Sequence, residues 1–333
     1  MLNVFITVDT EIWPLVKGWP RNALPAGKTD FSPEFDAYIR GHTASGEYGV
    51  AYQSKLLQTH GLKAVYFVEP LFAGVAGIAP LAEIVATVQE GGHEVGLHPH
   101  TEWLSEIKNP ALPQTFGPNM HGYAQHEQAA ILQQGLANLQ EAGARNVVAY
   151  RAGGYGASLE TLSALAQIGI RFDTSYNFPY PNSFPDMERD SPLRHPRKIG
   201  EVWEFPVTFF SDYPGHVRPT QLCACSFQEM RHALLQAWRK RHHSFVIVSH
   251  SFELLKRDQL HRGGTTVTPD TTVIRRFEKL CHFLAANRDK FRTLGFADID
   301  PASIPDAAPA APLQSNVFYT GMRQVEQFAG RWL

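Results

Sequence analysis

The stretch GGHEVGLHPHTEW, residues 91–103, decides the fold, because it reads as a buried β-run that ends in chemistry. Gly91 and Gly92 make a turn, residues 93–98 alternate in a way that suits a strand, and His98, His100 and Glu102 follow at once. In an extended chain successive side chains alternate, so His98 and His100 point to one side. If Pro99 instead starts a helix, His98 and Glu102 share a face. Either arrangement converges two donors on one point, which suits a borderline divalent cation, zinc first. A polar surface turn is the bland alternative for an isolated His-x-His, and the rest of the chain decides against it.

Moving outward, short β-rich runs alternate with helical stretches. Strands are expected at Asn3–Val8, Lys63–Val68, His93–His98, Asn146–Tyr150, Arg171–Asp173, Val202–Val207, Phe245–Ser249 and Thr293–Ala297. Helices are expected at Ala51–Thr59, Ala79–Glu90, His126–Ala142, Leu159–Ile168, Phe227–Arg239 and Thr272–Asn287, from apolar positions three and four apart. Such alternation implies parallel strands joined by crossover helices. The unusual residues follow the strands: Asp9 and Glu11 the first, Glu69 the second, His98 and His100 the third, Arg151 the fourth, Asp173 the fifth and His250 the seventh. An open sheet gathers ligands at one switch point. Contributions from nearly every strand point instead to a ring, an α/β fold with a (β/α) barrel of seven or eight mostly parallel strands and a site at their carboxyl ends.

Composition narrows the function. The chain has 333 residues and a formal net charge of −2, with no basic stripe for nucleic acid. The densest positive run, Arg239–His243, sits at an expected helix end, where cations offset the macrodipole. No apolar run approaches the ~20 residues of a membrane span, and the amino terminus shows no secretory leader, so a cytoplasmic location is expected. Cys223, Cys225 and Cys281 have no zinc-ribbon spacing and read as free thiols. Gly153, Gly154 and Gly156 do not form a dinucleotide fingerprint. Residues 13–48, rich in Gly, Pro and polar residues, read as an insertion over the barrel mouth; residues 1–299 form the barrel, and 300–333 a Pro/Ala tether with a tail that packs back or meets a partner. Nothing in the sequence selects an oligomeric state.

Four motifs in order, spanning about Asn3 to Asp298, resemble the NodB-like polysaccharide deacetylases of carbohydrate esterase family 4. They are Thr7–Glu11, Gly92–Trp103, Tyr150–Tyr155 and Val248–Glu253, and the run His60–Val68 is similar to the strand after the family's first helix. The resemblance implies a distorted barrel, a divalent metal, and hydrolysis of an N- or O-acetyl group on a sugar. By position it implies Asp9 as general base and Glu11 as metal ligand. The family's acidic pair is usually adjacent, whereas Asp9 and Glu11 are one residue further apart. Its two metal histidines are usually four apart; that separation here gives His98 and Glu102, with His100 between them. His100 is the preferred second ligand and Glu102 the alternative.

The chemistry this implies needs a water nucleophile and protonation of a poor leaving group. His250 is placed to donate that proton, and Arg151 to orient Asp9 through a guanidinium fork. A backbone N–H near Gly154 or Tyr155 is expected to face the developing oxyanion. Trp13, Trp103 and Tyr155 offer sugar-stacking platforms, with core packing as the competing role. Asp173 reads as structural or substrate-orienting, and Glu69 and Glu253 are further candidates without an assigned role. The expected substrate is a free, nucleotide-linked or lipid-linked saccharide of surface-polysaccharide assembly. Two other readings stand beside it: hydrolysis of another non-peptide C–N bond on the same barrel, and a degenerate carbohydrate-binding protein, motivated by the altered second motif.

Overall fold

The computed structural model describes residues 1–114, 117–256, 267–305 and 311–329. Its main sheet holds β1 (Leu2–Thr10), β2 (Ala64–Val68), β3 (Glu94–Leu97), β4 (Ala149–Tyr150), β5 (Phe172–Asp173), β6 (Arg197–Ile199), β7 (Val202–Glu204), β8 (Ser244–His250) and β9 (Phe291–Thr293). Strand order is β8-β1-β2-β3-β4-β5-β7-β6, with β9 also on β1. All pairs are parallel except β6 with β7. The sheet curls into a distorted (β/α) barrel, the fold class expected.

Irregular hydrogen bonds close the ring between β7 and β8. Past β7, Val207 N–H donates to Tyr176 O and Thr208 N–H to Val246 O, while beside them Val248 N–H donates to Thr220 O and Leu222 N–H to Val248 O. Four short strands (β4, β5, β6 and β7) make that side ragged, and the distortion lies there.

Two apolar layers explain why β1 is buried along nearly its whole length. Val4, Ile6 and Val8 pack outward with the helices, whereas Phe5 belongs to an inner cluster with Val65, Phe67, Ala149, Phe172, Phe205, Val246, Val248 and Phe296. A parallel sheet with both faces covered needs apolar residues on both. The inner cluster fills the barrel, and its period of two sets what stands above it. Following Phe5, the inward positions are Thr7, Asp9 and Glu11; following Ala149, Arg151; following Val246 and Val248, His250. Gly96 is inward in β3, where a Cβ would lie 2.5 Å from the Phe67 ring, so His98 and His100 continue that face.

Several expectations shift. The last strand is Phe291–Thr293, and the residues expected to extend it form a turn at Phe296–Asp298. The insertion at 13–48 is structured, with a helical stretch at Ser32–Phe35 and Asp36–Arg40 and a hairpin of His42–Thr43 on Gly46–Glu47. Glu106 fastens it, accepting from the Trp19 indole and the Leu24 N–H at 3.1 Å each. In the expected tether, residues 306–310 lie outside the described residues, as do 330–333 of the tail. The tail's helix, Val317–Ala329, packs back by polar contacts: Arg323 pairs with buried Asp212 and Glu229, and Arg276 with Glu326. Removing one member would strand a buried charge, at a cost of about 3–5 kcal/mol.

Candidate active site

Three donors meet where β1 and β3 end. Glu11 Oε1 lies 3.1 Å from His98 Nε2 and 3.0 Å from His100 Nε2, and the two imidazole nitrogens are 3.2 Å apart. All three side chains are buried. A divalent ion would be held by these three atoms, Glu11 Oε1, His98 Nε2 and His100 Nε2.

The surroundings prepare these groups for a cation. His98 Nδ1–H donates to the Arg151 carbonyl at 2.8 Å, so its Nε2 is the ring nitrogen left for a ligand role. His100 Nδ1 faces Glu102 Oε2 at 3.3 Å, a carboxylate behind a ligating ring. Glu11 Oε2 accepts the Trp13 indole N–H at 2.8 Å, which leaves Oε1 for the centre. Burial works to raise the Glu11 carboxyl, but His100 and His98, with His250 behind them, hold it well below its usual range. Burial disfavours a charged His100, yet Glu11 and Glu102 hold its pKa well above the usual imidazole value. Both shifts report one fact: the pocket calls for positive charge between carboxylate and rings, supplied by a proton or by a metal. The donors fit a divalent ion of zinc's kind.

His100 therefore joins Glu11 and His98, and Glu102 stands behind it. Pro99 does not start a helix that would turn Glu102 inward. His100 stays extended at φ −100°, ψ 112°, and only a short 3₁₀ turn, Thr101–Ser105, follows. Glu69 holds this geometry, its Oε1 accepting from the N–H groups of His100 at 3.2 Å and Leu71 at 2.9 Å, and its Oε2 from Phe72. Burial pushes the Glu69 carboxyl up to about 7 against those donors. Gly153 is required by close approach, since a Cβ there would lie 2.8 Å from the His100 ring.

Beside the triad stands Asp9. Arg151 Nη1 donates to its Oδ1 at 2.6 Å and to Thr7 Oγ1 at 2.8 Å, while Nε holds the Thr174 carbonyl at 3.1 Å. The guanidinium is fully buried and so fixed on several sides. Opposite, His250 Nε2 lies 3.9 Å from both Asp9 Oδ2 and Glu11 Oε1. Its Nδ1 meets Glu253 Oε1 at 2.8 Å, and Glu253 is itself held by Gln221 Nε2 and the Cys223 N–H. Burial would lower the His250 pKa; Glu253, then Glu11 and Asp9, raise it to about 9.

The outer residues differ from expectation. Trp13 reaches the site, its ring edge-on to His100 with centroids 4.6 Å apart. Trp103 is no sugar platform: it is fully buried against Trp19, Phe31 and Phe72. Tyr155 is buried and packs against Tyr180, and its N–H is spent on the Ala152 carbonyl, so it does not serve as the expected oxyanion donor. Asp173 does not face the mouth. Phe172 points inward, so Asp173 points outward, directly opposite Glu204 of β7. Burial raises the Asp173 carboxyl despite Glu204 and Ser175, and burial with Asp173 alongside raises Glu204 well above its usual range. Both carboxyls are buried behind the sheet.

No family model and no curated protein matches the sequence. Solved structures do resemble this one. A protein of Mycobacterium smegmatis assigned as a polysaccharide deacetylase is 17% identical with a TM-score of 0.58, covering 93% of this chain and 94% of that one. The 4-α-glucanotransferase of Thermococcus litoralis is 9% identical with a TM-score of 0.50, covering 99% of this chain and 45% of that one. A family 4 carbohydrate esterase from Streptomyces lividans, in complex with acetate, is 12% identical with a TM-score of 0.39, covering 92% and 96%. At 17% identity the likeness to the Mycobacterium smegmatis protein is one of fold, and it is the fold that the sequence motifs implied.

Proposed function

We propose that the chain is a metal-dependent hydrolase that removes an acetyl group from an N- or O-acetylated sugar of surface-polysaccharide assembly. The observation that carries this reading is the convergence, at one barrel mouth, of the Glu11, His98, His100 triad with an Arg-held carboxylate on one side and a Glu-held imidazole on the other. A divalent ion in that triad supplies a Lewis acid for the carbonyl oxygen and makes water a usable nucleophile near neutral pH.

The chain's own groups do the rest. Asp9 accepts the proton of the attacking water, aimed by the Arg151 Nη1 contact to its Oδ1, which leaves its Oδ2 turned toward the centre. His250, a cation at neutral pH by virtue of Glu253, donates from Nε2 to the departing amine or alkoxide. Trp13 and the insertion that carries it cover the triad and limit bulk water. The triad is complete, which favours catalysis over a binding protein that has lost its chemistry. The three cysteines are free thiols, in keeping with a reducing compartment. Among the described residues, no helix is long and apolar enough to cross a membrane.

The test is acetate release from a panel of N- and O-acetylated sugars by protein loaded with one equivalent of zinc. Asp9→Asn is expected to lower kcat about 10²–10⁴-fold with metal content unchanged. An inactive, fully metallated parent, or an Asn variant as fast as the parent, refutes the assignment.

A further inference from the structure

A second feature lies on the same rim. Helices that alternate with parallel strands begin at the strands' carboxyl ends, so Phe227–Arg239 and Thr271–Ala286 both open at the level of His250. Between them is a cleft of about 480 Å³ lined by Lys256, Arg275, Arg276 and Lys279 and by Thr271 and Thr272. The acid on its wall, Glu326, is engaged by Arg276 through Nε and Nη2.

Arg276 is 3% exposed, and its Nη1 holds the Cys223 carbonyl at 2.8 Å. Cys223 N–H donates to Glu253, which holds His250. Arg276 on the cleft wall is thus linked to the proposed acid through Cys223 and Glu253. Arg275 and Lys279 stand one turn apart and exposed, and neither makes an ion pair among the described residues. Like charges at that spacing weaken a helix. Here they line the cleft together with Lys256 and Arg276, four cations against one acid, Glu326, on its described wall. A neutral sugar has no use for that field; a phosphate ester does.

We infer that this cleft binds the phosphate or diphosphate of a phosphate-linked saccharide whose acetylated sugar lies at the mouth. The sugar half rests on the deacetylase reading; the anion half does not. Titration calorimetry with inorganic pyrophosphate tests the anion site directly. An Arg275→Ala, Lys279→Ala double variant, altered only at exposed positions, is expected to keep its circular dichroism spectrum and bind pyrophosphate at least tenfold more weakly. Lys55→Ala, Arg145→Ala, which removes two cations elsewhere, is expected to bind like the parent. Equal binding by parent and double variant, or no saturable binding up to about 10 mM, overturns the site.

With substrates, the double variant is expected to show a tenfold or greater rise in KM for a phosphate-linked acetyl sugar, unchanged kcat, and no change with the uncharged sugar. Equal KM values overturn the link between cleft and substrate. If no acetyl sugar turns over, the deacetylase reading fails while the pyrophosphate result stands. A nucleoside diphosphate displacing pyrophosphate at about tenfold lower concentration than a prenyl diphosphate makes the carrier a nucleotide; the reverse order makes it a lipid.

Discussion

Replacing Glu102 with Gln separates the two ligand sets that the sequence leaves open. In the structure, Glu102 Oε2 meets His100 at Nδ1, while the triad uses Nε2 on the other edge of the ring. Gln preserves length and one acceptor but removes the charge that helps raise the His100 pKa. The loss should fall on metal affinity rather than stoichiometry. Carboxylates behind ligating imidazoles are worth about 10–100-fold in affinity, or ~1.4–2.8 kcal/mol. Competition against a chromophoric chelator measures this for zinc. His100→Ala removes a donor outright, leaving Glu11 and His98, and should weaken binding well beyond any Glu102 variant. If Glu102→Gln abolishes binding and His100→Ala retains it, Glu102 is the ligand, and the triangle of 3.0–3.2 Å sides is the wrong site.

Two further perturbations probe the flanking groups. Glu253 is a main source of the raised His250 pKa of about 9, so Glu253→Gln should move the alkaline limb of the kcat–pH profile to lower pH, because the acid loses its proton sooner; an unmoved limb assigns that limb to another group. The Asp173–Glu204 pair binds more protons folded than unfolded, since both pKa values are raised by burial, so it withdraws stability as pH rises from the normal carboxylate range toward the folded values. Glu204→Gln should flatten the fall in melting temperature as pH rises above the usual carboxylate range, and parallel curves for parent and variant would show that the pair takes up no extra proton on folding.

The sequence makes Asp9, Glu11, His98, His100, Arg151 and His250 legible because each follows a β-run whose inward phase is visible. The same phase argument, carried one step further, excludes Asp173 from the mouth: with Phe172 in the barrel interior, its neighbour faces out. That step needs the knowledge that Phe172 points inward, and β5 is too short for an alternation to show it. The antiparallel β6 is invisible for a related reason. Its three residues, Arg197–Ile199, lie mostly on the surface and carry no apolar period. Trp103 fails differently. An aromatic next to metal ligands reads as a platform, but the 3₁₀ turn after His100 rotates it down onto Trp19 and Phe72, and only the insertion's own path puts Trp19 there. Glu253 is hidden because three residues beyond His250 means nothing on a strand; it matters here because the chain turns after β8 and brings it back beneath the ring. Strand-borne groups are therefore readable from pattern, whereas the groups that hold them arrive by turns whose geometry the pattern does not encode.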